Sequence, residues 1–199
     1  MMIPKIIHQI WVGPNPIPSK SLRFIQELRE LHPDYEYRLW SDKDITHDNF
    51  VNYELILKSS SYAQKADIMR YEILYRHGGI YLDIDMEVFK NITPLLTNDL
   101  VVCNEDENID QYMTNAFICC IKNNVELMKC VYFCKNIDLS SKSISQTSGP
   151  WFFRNCIEIT DRVNVLPTSY IYPTHYTNPK AAFTITDTTY TCYHWDKNW

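Results

Sequence analysis

Two carboxylates at the end of an apolar strand pattern are the residues with the clearest chemical potential in this chain. Asp83 and Asp85 stand in the segment 76–85, RHGGIYLDID, directly after two of the four glycines that the chain contains. Alternate residues of a strand face the same way, so two ionised side chains at this spacing repel each other unless a cation or donor separates them. Burying such a pair without a partner costs several kcal/mol. An oxygen-seeking divalent cation is therefore the simplest explanation of the pair.

The Asp-x-Asp spacing by itself is weak support for a metal site. With 14 aspartates in the chain, about one such triplet is expected by chance. The same spacing occurs at Asp42 and Asp44 in a polar segment, where capping of a helix explains it. The apolar strand that precedes Asp83 and Asp85 is what distinguishes that pair.

A charged pair in the preceding helix pattern could complete the site. The segment 61–79 predicts a helix that ends at a glycine cap, and Asp67 and Arg70 share one face of it. Taken alone, the two would form an ordinary surface ion pair. Because this helix runs directly into the aspartate strand, we expect the pair beside the cation. There an arginine could hold a leaving phosphate or a sugar, and an aspartate could accept sugar hydroxyls.

The elements that must position these residues alternate between strand and helix patterns. Strands are predicted at 4–12, 35–40, 80–85, 99–105, 114–121 and 162–167, and helices at 19–33, 61–79 and 124–137. The first helix is expected to start at a serine cap and to bury Leu22, Ile25, Leu28 and Leu31. This alternation indicates an α/β sheet with helices on both faces. Ligands of such sheets bind at the carboxyl ends of strands, where Trp11 and the two aspartates fall.

Composition limits the class of protein. The 199 residues, 45% hydrophobic and 14% aromatic, suffice for the core of one domain spanning 1–199. A formal charge of −5 argues against a nucleic-acid binder that tracks phosphates. Seven cysteines without CxxC spacing favour core packing in a reducing compartment over disulfides or zinc. No run reaches the ~18 apolar residues of a spanning helix, so we expect a soluble cytoplasmic protein, unless a membrane anchor has been removed.

Several segments, taken in order, resemble the motifs of one enzyme family. They are IPKIIHQIW, KADIMRYEILYRHGGIYLDID, TNAF, SGP and HWDKNW. They are similar to the family 32 glycosyltransferases, a DXD-containing group that includes yeast-type α-1,6-mannosyltransferases and the mannosyltransferases acting on inositol phosphoceramide. The match runs from residue 3 to residue 199, and its central block is the most specific part. A more distant resemblance links the chain to the glucosylating domains of large clostridial toxins.

The resemblance implies a fold, a donor and a cofactor. The fold would be GT-A, with a Rossmann-like, mostly parallel central sheet flanked by helices. The donor would be a nucleotide sugar, bound with Mn²⁺ or Mg²⁺, and the anomeric configuration would be retained. Trp11 would stack on the nucleobase, while Asp67 and Arg70 would hold the donor sugar. Asp83 would contact ribose and sugar beside Tyr81.

The resemblance also implies how the metal and diphosphate site is completed. Asp85 would bind the metal directly, and Asn115 of TNAF would face the sugar. The family's closing His-x-x-x-Ser-Trp corresponds to His194, Asn198 and Trp199. In this group, those residues complete the site for metal and diphosphate. Asn198 replaces the family's serine, and its amide oxygen can still ligate a hard cation.

We therefore expect a metal-dependent, retaining transferase that moves a hexose from a UDP- or GDP-linked sugar to a hydroxyl of a glycan, lipid or protein. Arg70, Asp83 and Asp85 would be its catalytic residues. Two alternatives stay open: a nucleotide-sugar hydrolase or nucleotidyltransferase that uses the same site, and a catalytically inactive carbohydrate-binding module. The sequence identifies neither the donor base, the sugar and the acceptor, nor the oligomeric state. The acceptor site is expected to be open and shallow, because the chain leaves little room for a separate acceptor domain.

Overall fold

The computed structural model describes residues 2–106, 112–140, 143–175, 177–178 and 180–196. The strands in these ranges are β1 (Ile6–Ile10), β2 (Glu36–Trp40), β3 (Gly79–Leu82), β4 (Met86–Val88), β5 (Leu100–Asp106), β6 (Tyr112–Met113), β7 (Phe117–Cys120), β8 (Val163–Leu166) and β9 (Thr191–Tyr193). The α-helices are α1 (Ser19–Leu31), α2 (Tyr53–Lys58), α3 (Tyr62–His77), α4 (Val125–Cys134), α5 (Ile144–Thr147), α6 (Pro150–Cys156) and α7 (Thr168–Ile171).

The central sheet has the order β2-β1-β3-β7-β5-β6, and β8 also pairs with β5. β1 is parallel to both β2 and β3, and β8 is parallel to β5. β7 runs antiparallel between β3 and β5, and β6 is antiparallel to β5. Five of the seven strands described in this sheet therefore point one way, as expected for a mostly parallel sheet. The reversed β7 places its first residues beside the carboxyl end of β3, where Leu82 pairs with Phe117.

Apolar side chains fill a layer on each face of the sheet. Tyr81 of β3 belongs to the layer that α3, α4 and α6 cover, whereas Ile80 and Leu82 belong to the layer that includes Leu28 of α1. This division follows from the two-residue period of a strand. It confirms the predicted α/β arrangement with both faces covered. The seven cysteines are all buried and form no disulfide, which confirms their predicted place in the core.

The first helix buries a different stripe from the one predicted. Phe24, Ile25 and Leu28 are buried, while Leu22 is 52% exposed. Residues taken at a constant spacing of three drift around a helix of 3.6 residues per turn, so a set beginning at Leu22 cannot stay on one face. The predicted serine cap is also wrong, because Pro18 occupies the N-cap without a side-chain hydrogen bond.

The junction between α3 and β3 requires its two glycines. Gly78 and Gly79 have φ values of 65° and 100°, in the left-handed region that favours glycine. A Cβ on Gly79 would also lie 2.5 Å from the carbonyl oxygen of Ile6 in β1. The strand predicted to reach Asp85 ends at Leu82, so both aspartates lie beyond its last residue. The chain then enters β4, which leaves the central sheet and pairs with β9.

The second Asp-x-Asp triplet behaves as predicted. Asp42–Asp44 forms a 3-10 turn in which the carboxylate of Asp44 accepts a hydrogen bond from the backbone N–H of Ser41, at 2.7 Å. This triplet is therefore a cap and not a ligand site. Among the helices that the structure describes, none is both long and apolar enough to cross a membrane.

Candidate active site

Asp83 is held at the carboxyl end of β3 by donors from three parts of the chain. It is 4% exposed. The hydroxyl of Tyr81 donates to one carboxylate oxygen at 2.7 Å, and the hydroxyl of Tyr193 donates to the other at 2.9 Å. Arg70 Nη1 lies 3.3 Å from the first oxygen. These contacts fix the orientation of the carboxylate before any ligand binds.

The predicted pair on α3 meets Asp83 directly. Arg70 Nη2 lies 3.3 Å from an oxygen of Asp67, so the guanidinium bridges two buried carboxylates. The Arg70 guanidinium also stacks on the ring of Tyr81, 4.5 Å from its centroid. Burial alone would lower the pKa of Arg70, but the charges around it, of which Asp83 contributes most, together outweigh burial and raise that pKa. Burial raises the pKa of Asp67, and Arg70 offsets part of that rise.

Asn115 belongs to the same cluster, because the reversed β7 brings it beside Asp83. Its side-chain amide nitrogen donates to Asp67 at 2.7 Å, and its backbone carbonyl oxygen accepts from Arg70 at 2.7 Å. The hydroxyl of Ser148 donates to the other oxygen of Asp67 at 2.9 Å. Both oxygens of Asp67 are thus hydrogen-bonded, in agreement with the rule that buried polar groups find partners.

Sequence reasoning missed four members of this cluster. Tyr71 accepts from the Asn115 amide at 2.8 Å and donates to the carbonyl oxygen of Ser148 at 2.5 Å. Gln9 of β1 donates to the backbone carbonyl of Asp83 at 3.3 Å. Ser148 lies within the SGP motif and Tyr71 within the central block, so both were present in motifs already recognised. Tyr193 had no such signal.

The carboxyl group of Asp85 has no cationic partner among the described residues. Its carboxylate accepts from the backbone N–H of Asp196 at 2.9 Å, and no ion pair is formed with it within the described ranges. Burial and the neighbouring charge of Asp83 raise the pKa of Asp85 to about 7. A carboxylate of this kind suits a hard divalent cation. The described residues contain no cluster of three or more His, Cys, Asp or Glu side chains that could hold a metal by themselves.

The other predicted metal ligands are placed differently or lie outside the described residues. The backbone N–H of His194 donates to the Asp85 carbonyl at 3.1 Å, but its imidazole pairs with Glu87 at 2.8 Å and stacks on Phe24. The metal role of His194 therefore stays a prediction. Asn198 and Trp199 lie outside the described part of the chain, and their roles stay predictions as well.

Trp11 lies where the sequence placed it, directly after β1 at the carboxyl edge of the sheet. Its indole N–H donates to the carbonyl oxygen of Asn15 at 2.8 Å, and its backbone N–H donates to Trp40. The side chain is partly exposed. The strand that ends just before Trp11, β1, also pairs in parallel with β3, with Ile7 opposite Ile80. Stacking of Trp11 on a base stays a prediction.

A cavity of about 320 Å³ opens onto the charge cluster. Asp67, Arg70, Asp83 and Asn115 line it, and Tyr193 with Trp195 form part of its wall. Tyr81 is fully buried behind Asp83 and is not among the residues that line the cavity. Four residues predicted to contact the sugar thus share one cavity, within the volume range of small-molecule sites. We call this space the sugar cavity.

Known proteins resemble this chain in the part that contains the site. The family described as "Glycosyltransferase sugar-binding region containing DXD motif" matches residues 18–102, which include both site aspartates. The chain is 30% identical over 203 residues to uncharacterized glycosyltransferase L373 of Acanthamoeba polyphaga mimivirus, covering 94% of this chain and 80% of that protein. It is 44% identical over 98 residues to inositol phosphoceramide mannosyltransferase 3 of Schizosaccharomyces pombe, covering 47% of this chain. That match covers 27% of the yeast protein's length.

The solved structures identify the fold. The structure described as PaToxG Glycosyltransferase superposes with a TM-score of 0.63 at 23% identity, covering 78% of this chain and 68% of that one. At this identity the likeness concerns the fold alone. It confirms the expected GT-A-like α/β architecture.

Proposed function

The chain belongs to the glycosyltransferase family whose sugar-binding region contains the DXD motif, and on this premise we propose that it transfers a hexose from a nucleotide sugar to a hydroxyl acceptor. The observation that carries the proposal is the buried Asp67–Arg70–Asp83 cluster at the sugar cavity. Burying three charges is costly, and the ionic contacts among them return only part of that cost. A ligand with several hydroxyl groups would make use of carboxylates that are already desolvated and oriented.

The cluster is suited to holding a donor sugar. Asp67 and Asp83 present acceptor oxygens to the cavity, and Asn115 adds an amide. Arg70 pairs with both carboxylates and fixes their orientation, so sugar hydroxyls would meet a preorganised set of acceptors. Trp11, at the mouth of the neighbouring strand, would stack on the nucleobase. The cavity volume of about 320 Å³ leaves space for one hexose unit.

A divalent cation fits the remaining charge. Mn²⁺ or Mg²⁺ would be held by Asp85, whose carboxylate is oriented by the Asp196 N–H. When bound, the cation would neutralise the donor diphosphate and stabilise it as a leaving group. His194, Asn198 and Trp199 would close this side of the site, as the family motif implies.

The proposed reaction retains the anomeric configuration. The acceptor oxygen forms a bond to the anomeric carbon while the bond from that carbon to the β-phosphate oxygen breaks. The electron pair of the broken bond goes to the phosphate, and the acceptor proton passes to the same phosphate. No carboxylate nucleophile is required. Asp83 would orient the sugar, and Arg70 would stabilise the negative charge that develops on the departing phosphate.

The donor can be identified by a screen of binding and turnover. Purified protein with Mn²⁺ is tested against GDP-mannose, UDP-glucose and UDP-galactose. Mannose is included because it is named in the yeast relative. A bound donor should raise the melting temperature, since ligand that binds only the folded state stabilises it. Addition of a sugar acceptor should then give a glycosylated product and the nucleoside diphosphate.

The chain supplies a matched control for this screen. Asp85→Asn should abolish turnover, whereas Asp44→Asn in the second Asp-x-Asp triplet should not, because the amide oxygen of asparagine can still accept the hydrogen bond from the Ser41 N–H. Free sugar without product would favour the hydrolase, and pyrophosphate would favour the nucleotidyltransferase. Sugar binding without any turnover would favour the inactive module. Failure of every nucleotide sugar to bind would overturn the proposal.

A further inference from the structure

Four charged side chains line the sugar cavity, and three of them are paired with one another. The guanidinium of Arg70 lies 3.3 Å from a carboxylate oxygen of Asp67 and 3.3 Å from one of Asp83. Glu105, near the end of β5, is the fourth. The described lining of the cavity therefore holds three carboxylates and one guanidinium. The ion pairs of the cluster account for all of these groups except Glu105.

Glu105 is buried without a partner among the described residues. It is 4% exposed, and no hydrogen bond or ion pair joins its carboxylate to any of them. Burial raises its pKa to about 7, and the neighbouring charge of Asp106 adds to this rise. A buried polar group without a hydrogen bond costs free energy, which a donor group of a ligand would recover. The carboxylate is thus a binding group that the described part of the chain does not itself use.

A β-bulge sets the position of Glu105. Asn104 of β5 is opposite Met113 of β6, and Asp106 is opposite Tyr112. Two steps along β5 thus correspond to one step along β6, so Glu105 is the extra residue of the bulge. Bulges redirect side chains and are frequent beside active sites. The regular alternation of β5 is therefore interrupted at the residue that lines the cavity.

The sheet order places Glu105 across the cavity from Asp83. β3 and β5 both run antiparallel to β7, which lies between them, so their carboxyl ends reach the same edge of the sheet. Neighbouring strands are about 4.8 Å apart, which puts these two strand ends about 10 Å from each other. A hexose with a hydrogen bond of about 2.7 Å on each side spans a comparable distance. One sugar ring would therefore contact the cluster on one side and Glu105 on the other.

We propose that Glu105 is a specificity-determining residue for the donor, whose carboxylate accepts a hydrogen bond from a hydroxyl group of the hexose that takes no part in the reaction. The inference rests on the proposed transferase function and adds a residue to it. The transfer step is unchanged, because the acceptor proton still passes to the leaving phosphate. A donor that lacks this hydroxyl would leave a buried carboxylate unpaired. Sites that hydrogen-bond a substrate hydroxyl discriminate strongly against analogues without it.

Separate measurements of nucleotide sugar and nucleoside diphosphate affinity test this role. Glu105→Met keeps a side chain of similar length and removes the acceptor oxygens. In calorimetry with Mn²⁺ at pH 8, the Kd of the best donor should be about tenfold or more higher for this variant, the loss expected for a hydrogen bond to a charged group. The Kd of the matching nucleoside diphosphate should stay unchanged, because only the sugar reaches Glu105. Glu105→Gln keeps an acceptor oxygen and should lose less affinity.

Two controls separate this effect from a general disturbance of the site. Glu30→Met removes a carboxylate that lines a separate cavity of about 620 Å³ beside α1, and it should change neither Kd. The nucleoside diphosphate is the second control, because its retained affinity shows that Glu105→Met is folded around the site. Equal losses of affinity for nucleotide sugar and nucleoside diphosphate, or no loss for either, would overturn the inference.

Donor analogues that each lack one hydroxyl of the hexose identify the group that is bound. One analogue should bind the wild type about tenfold or more weakly than the complete donor does. The same analogue should bind Glu105→Met as well as the complete donor does, because both changes remove one contact. Additive losses for every analogue would contradict the inference, and so would an unchanged donor Kd with a raised acceptor KM, which would place Glu105 at the acceptor. Failure of the wild type to bind any nucleotide sugar would refute the proposed function itself, and this inference with it.

Discussion

Arg70 provides the sharpest test of the charge cluster, because it is 2% exposed and stands between two buried carboxylates at 3.3 Å each. Arg70→Met keeps most of the volume and removes the charge. Removing one partner of a buried ion pair typically costs roughly 3–5 kcal/mol, since the remaining charge is left uncompensated. For a chain of this size, each kcal/mol shifts the melting temperature by about 2–4 °C, which predicts a fall of about 6–20 °C.

The loss should depend on pH with a definite sign. Burial already raises the pKa of Asp67, and removing Arg70 takes away the charge that partly offsets this rise. In the variant, the folded state therefore holds a proton on Asp67 that the unfolded chain releases above pH of about 4. The variant loses stability as pH rises through the folded-state pKa. The free-energy difference from wild type should be larger at pH 8 than at pH 5.

Urea unfolding in EDTA, at both pH values, measures this difference. Arg23→Met is the matched control, because Arg23 forms an exposed pair with Glu27 at 3.6 Å on α1. Its effect should stay within about 0.5 kcal/mol. Adding Asp83→Asn to Arg70→Met should recover part of the loss by removing one unpaired charge. A variant as stable as wild type, or a loss equal at both pH values, would refute the electrostatic reasoning.

Three further predictions concern the metal, the base and the carboxyl group of Glu105. Asp85→Asn should remove the Mn²⁺-dependent rise in melting temperature with donor while the protein stays folded, and full wild-type turnover in excess EDTA would contradict the metal role. Trp11→Ala should weaken nucleoside diphosphate binding by ~1–3 kcal/mol in calorimetry if the ring stacks on the base; unchanged affinity would leave it a structural residue. Because burial raises the pKa of Glu105 to about 7, wild-type stability falls between the unfolded pKa of about 4.3 and that value. Glu105→Gln should therefore be more stable than wild type at pH 8 and similar at pH 4. Urea titrations that show the same difference in unfolding free energy at both pH values would contradict the raised pKa of Glu105.

Local patterns predicted most of the fold. The apolar run before Gly13, the helix capped by Gly78 and the strand after it were all present near their predicted positions, because such signals arise from neighbouring residues. The end of that strand was predicted wrongly, because it depends on a distant segment. The strand after Gly79 ends at Leu82, three residues before its predicted end, because the chain turns, with the Met86 N–H donating to the Asp83 carbonyl, and then pairs with β9. That turn depends on a partner strand more than a hundred residues away.

The sequence by itself determined that Asp67, Arg70 and Asp83 would meet, because one helix runs into one strand through two glycines. Only the tertiary structure decided what completes the cluster. Ser148 and Tyr193 reach it from 81 and 110 residues away, and Glu105 reaches the cavity wall from β5. No periodicity in a single segment specifies which distant segment it meets. The sheet order sets this, through the antiparallel β7 inserted between β3 and β5, and that order is fixed by the packing of the whole core.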